Sequence, residues 1–226
     1  MGFSLPVTGG LVRTGAERAQ LVRRTYSLVF VSILVTIVGA TYALSNPALM
    51  AQVAAHPFLS LIAVFVPLLF ANSARTTFPL NIAMVMLFTF AEGVWLSPLL
   101  ALYATRSPGL IPQAAWLTVG TFAVLTAYAF LSRRDFSAWG GFLTVGLWVL
   151  IATSLLNLFF HSAGATLWLA GVGTLLFSGL LVFDTWRLRH MYGPNDYVLA
   201  AVNIYLDLLN LFLFILRLLM GGNRRN

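Results

Sequence analysis

The chain contains no cysteine and no lysine. The first absence excludes disulfides, thiolate metal sites, cysteine nucleophiles and palmitoylation. The second leaves 13 arginines as the whole basic complement, for a formal net charge of +7. Charge of either sign is scarce. Only 8% of the 226 residues are charged and 60% are hydrophobic, against about 25% charged in an ordinary soluble domain. So few charges cannot coat a globular surface, and the uncharged stretches come as long runs. The composition is that of a polytopic membrane protein. Its arginines stand in short segments between apolar runs, where they control topology and meet lipid headgroups; no nucleic-acid partner is expected.

A cleavable leader is not expected either. The first 25 residues hold Arg13, Arg18, Arg23 and Arg24 but no apolar core followed by a small-residue cleavage site. Pro6 stands where a myristoylation signal needs Ser or Thr.

What is there in abundance is apolar sequence. Segments at 26–44, 58–74, 79–103, 112–131, 139–160, 165–187 and 196–217 each approach the ~20 residues needed to cross hydrocarbon as a helix. The breaks carry turn residues: Asn46–Pro47, His56–Pro57, Pro79, Ser107–Pro108–Gly109, Pro112, Gly140–Gly141 and Gly193–Pro194. Pro67 and Pro98 lie inside spans and are expected to kink helices rather than end them. The expectation is an all-α membrane protein of seven transmembrane helices. A basic cytoplasmic N-tail (1–25) precedes a single domain (26–217) and a short basic C-tail (218–226).

Arginine placement orients the chain. The N-tail holds four, the 74–79 loop holds Arg75, the 131–139 loop Arg133 and Arg134, and the 187–196 turn Arg187 and Arg189. These nine lie on one side, whereas the opposite loops hold only Arg106, so the N-terminus is expected to be cytoplasmic. Seven crossings put Arg217, Arg224 and Arg225 on the far side, against this trend. The last segment has no Gly or Pro to turn it back, which favours a full crossing.

The stretch "LVFDTWRLRHMYGPNDYVLAAVNIYLDLLNLFLFIL" (181–216) holds two apolar helices and one tight turn, with Asp184 before the turn and Asp207 after it. Acids at such positions are costly and rare. On a helical wheel, Asp196, Ala200, Asn203, Asp207, Asn210 and Arg217 form one stripe, which must face a bundle interior or a water-filled cavity. Asp184 lies ten residues before Pro194 and Asp207 thirteen after it, so their depths differ by roughly 4–5 Å at the helical rise. A modest tilt makes them level. Two touching carboxylates share one proton and titrate as a unit, or they take up a hard cation such as Ca²⁺ through their oxygens. Arg75, at the cytoplasmic end of the second span, is available to bridge Asp184 as a latch. A purely structural ion pair is the plainer alternative for a single acid; two acids at one depth beside an Asn-lined stripe favour function.

Glu92, in "FTFAEGVWLSPLL", is a candidate second station for cation or proton, or else a protonated hydrogen-bonding group. Asn203 and Asn210 are candidate pore-lining residues. Asn157 and Asn81 read as contacts between helices. His56, His161 and His190 lie at loops or helix ends without partners at metal-ligand spacing.

The C-terminal pattern resembles the signature of the Bax inhibitor-1, or transmembrane Bax-inhibitor-motif, family. Its elements here are Asp184–Thr185 ending span six, a short basic turn, Asp196–Tyr197, Tyr205–Leu206–Asp207 and Asn210–Leu211–Phe212. "EGVWLSPLL" in span three is more loosely similar to a second family stretch. The resemblance implies six helices around a central seventh. It also implies a pH-sensitive Ca²⁺ leak controlled by the Asp184–Asp207 pair, with Arg75 in the position of the latch. Trp186 stands where many members have Gln, a departure expected to alter the pore mouth.

Rival readings use the same acids. An intramembrane aspartyl protease needs a Gly-x-Gly before its second aspartate; Ile204, Tyr205 and Leu206 stand there instead, so no enzyme is expected. A cation/proton exchanger would use the same residues, though no internal repeat supports it. A non-transporting protein that regulates a membrane protease would tolerate loss of the acids. The expected partners are membrane lipid, Ca²⁺ and H⁺, with no cofactor. The expected location is a bacterial inner membrane, with the chain as a monomer.

Overall fold

A computed structural model describes residues 15–73, 78–160 and 162–223. Those residues form eight α-helices: α1 (Gly15–Leu44), α2 (Pro47–Ala55), α3 (Pro57–Ser73), α4 (Leu80–Arg106), α5 (Leu110–Leu131), α6 (Trp139–Phe160), α7 (Ala163–His190) and α8 (Tyr197–Asn223). Six of them (α1 and α4–α8) are long and apolar enough to cross a membrane. The protein is an all-helical integral membrane protein.

The second expected span departs from expectation. Helix α3 has 17 residues, about 25 Å at the helical rise and short of the ~30 Å of hydrocarbon. It follows the nine-residue α2, in a stretch read from sequence as a connection, and the two axes bend by 103°. Both ends of α2 are written locally. Asn46 accepts a hydrogen bond from Leu49 N at 3.2 Å with Pro47 in the first turn, a cap followed by a proline that has no N–H to lose. Pro57 then holds His56 out of helical geometry (φ −128°, ψ 59°) and stops the helix.

Helix α1 begins at Gly15, so eleven residues of the stretch expected to be a tail are helical. Ala16, Glu17, Arg18, Ala19 and Gln20 are good helix formers, and Glu17 in the first turn suits the helix dipole. Pro67 and Pro98 lie within continuous helices, as expected. Pro112 falls in the first turn of α5, where a missing N–H costs nothing. Gly109 caps that helix with φ +89°, a conformation that glycine adopts without strain.

The chain divides into two compact units. The first comprises residues up to Ser97 together with Arg187–Asn203. In it, α1 buries Leu21, Thr25, Leu28, Ser32, Thr36, Gly39 and Ala43 at helical spacing. Helix α4 answers with Val85, Phe88, Glu92, Gly93 and Leu96. The two backbones touch: a Cβ at Gly39 would strike the carbonyl oxygen of Phe90, and one at Gly93 the carbonyl oxygen of Thr36. Small residues at such a crossing let helices gain van der Waals contact where lipid supplies no hydrophobic drive. Arg24 lies over the Tyr197 ring, 5.7 Å from its centre.

The second unit comprises Pro98–Trp186 and the chain from Ile204 onward. Leu143 of α6 packs on Gly179 of α7, and Leu176 on Gly146. Asn157 donates to Thr166 Oγ1 at 2.8 Å, the interhelical contact expected of it. Trp186 is buried with Ala129, Phe136 and Val182 and stacked on Phe183 at 6.1 Å. These contacts make it part of the core packing of this unit. Large side chains such as Trp116, Phe142, Trp148 and Phe159 are exposed, as a lipid-facing surface requires.

Candidate functional site

Helix α8 is the most deeply buried of the spans: 61% of its apolar window is inside the protein, against 39% or less for the others. Ala200, Ala201, Ile204, Tyr205, Leu211 and Leu216 are almost wholly enclosed. Such burial on several faces is what lets the helix carry Asp207, itself 5% exposed, since lipid cannot solvate it. Asp184 is 7% exposed near the end of α7, followed by the fully enclosed Thr185. Both acids belong to the second unit.

Within that unit, three contacts fix the register of α7 against α8. Phe177 stacks on Phe214 with ring centroids 5.6 Å apart. Gly173 faces the same Phe214 ring, which a Cβ there would meet at 2.5 Å, and Gly221 faces the Leu167 side chain at 2.6 Å. Later residues of α7 thus meet earlier residues of α8, so the helices run antiparallel.

The turn between them is held by its own residues. Asp196 Oδ2 accepts from Gly193 N at 2.9 Å, while Met191 and Tyr192 N–H both donate to the Arg187 carbonyl. The Arg187 guanidinium lies 5.0 Å over the Tyr192 ring. Asn203 Nδ2 donates to Tyr192 Oη at 2.9 Å, which ties the turn to α8. Tyr192 was missed by sequence reasoning, and its only signal was an aromatic residue inside a basic, glycine- and proline-bearing turn. Asp196, read as part of the polar stripe, serves as a turn cap.

Asn210 Nδ2 donates to the Leu206 carbonyl one turn earlier at 2.8 Å. Glu92, in the first unit, is 6% exposed, and among the described residues its Oε2 has no hydrogen-bond partner. Arg75 and His161 lie outside the described residues. Among the described residues no three of His, Cys, Asp or Glu gather around a metal position.

The sequence pattern of the family described as "Inhibitor of apoptosis-promoting Bax1" matches residues 18–225. The chain belongs to that family. The chain is 37% identical over 213 residues to protein lifeguard 4 of Mus musculus, covering 92% of this chain and 87% of that protein. It is 34% identical to Bax inhibitor 1 of Schizosaccharomyces pombe over 206 residues, covering 89% and 76% respectively. An uncharacterized protein of Campylobacter jejuni is 36% identical over 217 residues, at 93% and 92% coverage. The Bax inhibitor-1 resemblance of the Asp184–Phe212 pattern therefore extends over nearly the whole chain. Of these three relatives, the Schizosaccharomyces pombe protein is the one whose name states inhibition of Bax.

Proposed function

We propose that this member of the Bax inhibitor-1 family is a pH-sensitive Ca²⁺ leak in which Asp184 and Asp207 share a proton. The α7–α8 register carries the reading. Asp184 lies seven residues beyond Phe177 and Asp207 seven residues before Phe214. In antiparallel helices those steps, about two turns each, run the same way and return to the same faces. That register supports an approach of Asp184 to Asp207 like that of Phe177 to Phe214. A carboxylate pair in an interior site holds one proton between its members. Losing that proton changes the force between α7 and α8.

The ion is in transit rather than resident. Two carboxylates supply about four oxygens, whereas Ca²⁺ takes roughly six to eight, so it keeps part of its water. The amide groups of Asn203 and Asn210 are engaged through nitrogen, which leaves the carboxamide oxygen as the atom a hard cation takes. The unpartnered Glu92 oxygen supports a further cation or proton station. Arg75 enters as the latch on the resemblance of the sequence alone.

Seven crossings follow from the same reading. Arg24 at the start of the first apolar run meets Tyr197 at the start of α8. That contact supports an even number of crossings between them, with the bent α2–α3 pair counted as one. The arginine-rich side, with the N-terminus, is then cytoplasmic. We take the membrane to be a bacterial inner membrane and the protein to act as a monomer.

The test is Ca²⁺ flux into liposomes holding purified protein over a pH series, with Asp184→Asn, Asp207→Asn and Arg75→Ala alongside. The leak predicts pH-dependent flux in the wild type that either Asn variant makes insensitive to pH. Uptake driven against the Ca²⁺ gradient by a proton gradient would replace the leak with an exchanger. Silence in all four proteins sinks transport and leaves regulation of a membrane partner, such as a protease.

A further inference from the structure

The first unit contains a cavity of about 790 Å³, within the range of small-molecule sites, roughly 300–1,000 Å³. Its walls come from three places where an apolar run begins. Arg23 and Arg24 precede the apolar run of α1, Asn81 lies in the first turn of α4, and Asn195 and Tyr197 flank the start of α8. The cavity therefore lies at the boundary between hydrocarbon and water, the level of lipid headgroups.

The two ends of the cavity differ in chemistry. The polar end has two exposed arginines, with Arg24 held over the Tyr197 ring. Guanidinium groups bind phosphate oxygens bidentately and stay charged at any physiological pH. The N-termini of α4 and α8 open beside them, adding partial positive charge. Among the described residues no acidic side chain lines the cavity; the nearest in sequence, Asp196, is turned to Gly193 N. The opposite end is apolar, with Leu28, Val31 and Met86.

We propose that this cavity binds the phosphate headgroup of an anionic membrane phospholipid, with Arg23 and Arg24 on the phosphate and the start of an acyl chain along Leu28, Val31 and Met86. A free phosphate would satisfy the arginines but leave the apolar wall without a partner, which decides for the lipid. The bound headgroup would join α1, where its apolar run begins, to the starts of α4 and α8. The inference is independent of the aspartate pair.

Native mass spectrometry of the full-length purified protein, titrated with phosphatidylglycerol and with phosphatidylcholine of the same chain length, tests it. The wild type is expected to retain one phosphatidylglycerol with about tenfold preference. Arg23→Gln/Arg24→Gln should bring that preference near unity, and Arg133→Gln/Arg134→Gln, which alters arginines outside the cavity, should keep it. Ser27→Trp fills the cavity without changing charge and should also abolish the preference, which decides the matter if the double arginine variant fails to fold. No preference in the wild type overturns the site, as does preference lost equally from both arginine pairs or kept by Ser27→Trp. Displacement of the lipid by millimolar glycerol phosphate would assign the cavity to a soluble phosphate instead.

Discussion

The rings of Phe177 in α7 and Phe214 in α8 stack with centroids 5.6 Å apart and planes 23° from parallel. Two turns along each helix from this stack stand the two acids, so the stack is a ruler for them. The chain's lack of cysteine makes the ruler easy to read. Asp184→Cys with Asp207→Cys should cross-link through a short bifunctional thiol reagent in the membrane. Asp184→Cys with Phe214→Cys, offset by about two turns or ~10 Å, should not. Equal yields from both pairs would remove the register on which the proposed proton sharing depends.

The same ring is the reason position 173 is glycine. A Cβ there falls within 2.5–2.7 Å of three Phe214 ring atoms, so either the ring or the helix must shift. Gly173→Ala should cost about 1–3 kcal/mol, the usual range for overpacking a filled site. Phe214→Leu, which removes the ring, should recover part of that loss. Thermal unfolding in detergent of the two single variants and the double measures the coupling. Strictly additive costs would mean that the ring is not what excludes the methyl group.

The acids, the turn and the apolar runs were legible in the sequence because each is expensive to place by accident. An aspartate in a span or an Asp-Thr beside a basic turn stands out against leucine and phenylalanine. What stayed hidden was mostly pairing. Nothing in one sequence says that Gly39 and Gly93 face each other across α1 and α4, or that Tyr192 reaches Asn203 eleven residues away. The 103° bend between α2 and α3 was visible only as the His56–Pro57 break, since proline marks an interruption and not its angle. The early start of α1 was masked by its arginines, which argue for an aqueous tail while favouring helix locally.

The α1–α4 crossing gives a sharper packing test. Gly39→Ala and Gly93→Ala each drive a methyl into a backbone carbonyl of the other helix, where no side chain can rotate away. Each is expected to cost at least as much as Gly173→Ala and to reduce the yield of folded protein. Gly120→Ala and Gly141→Ala, with nothing within 4 Å of the added Cβ, should be neutral or slightly stabilising, because alanine favours the helix. Indifference at positions 39 and 93 would show that the two helices do not cross there.

Tyr192 offers a test of the turn. Its hydroxyl accepts from Asn203 Nδ2 at 2.9 Å while its ring carries the Arg187 guanidinium at 5.0 Å. Tyr192→Phe removes the first contact alone and should cost roughly 0.5–1.5 kcal/mol. Tyr192→Leu removes both and should cost more. If the Phe variant unfolds at the wild-type temperature, Asn203 has a replacement partner and the turn is held by Asp196 and the backbone.

Topology is the last and cheapest question, because every introduced cysteine is the only one. If the bent α2–α3 pair counts as a crossing, Ser137 in the α5–α6 loop and Asn195 in the α7–α8 turn share the side of the N-terminus, and Ser107 lies opposite. Ser137→Cys and Asn195→Cys in intact cells should resist a membrane-impermeant maleimide and react only after the membrane is opened, whereas Ser107→Cys should react at once. If the pair is instead re-entrant, it adds no crossing, and all three positions exchange sides relative to a cytoplasmic N-terminus. The pattern then inverts: Ser137→Cys and Asn195→Cys are labelled in intact cells and Ser107→Cys is protected. That result would also put Arg24 and Tyr197 on opposite sides of the membrane and so overturn their 5.7 Å contact; a single labelling experiment bears on both the crossing number and the packing of the first unit.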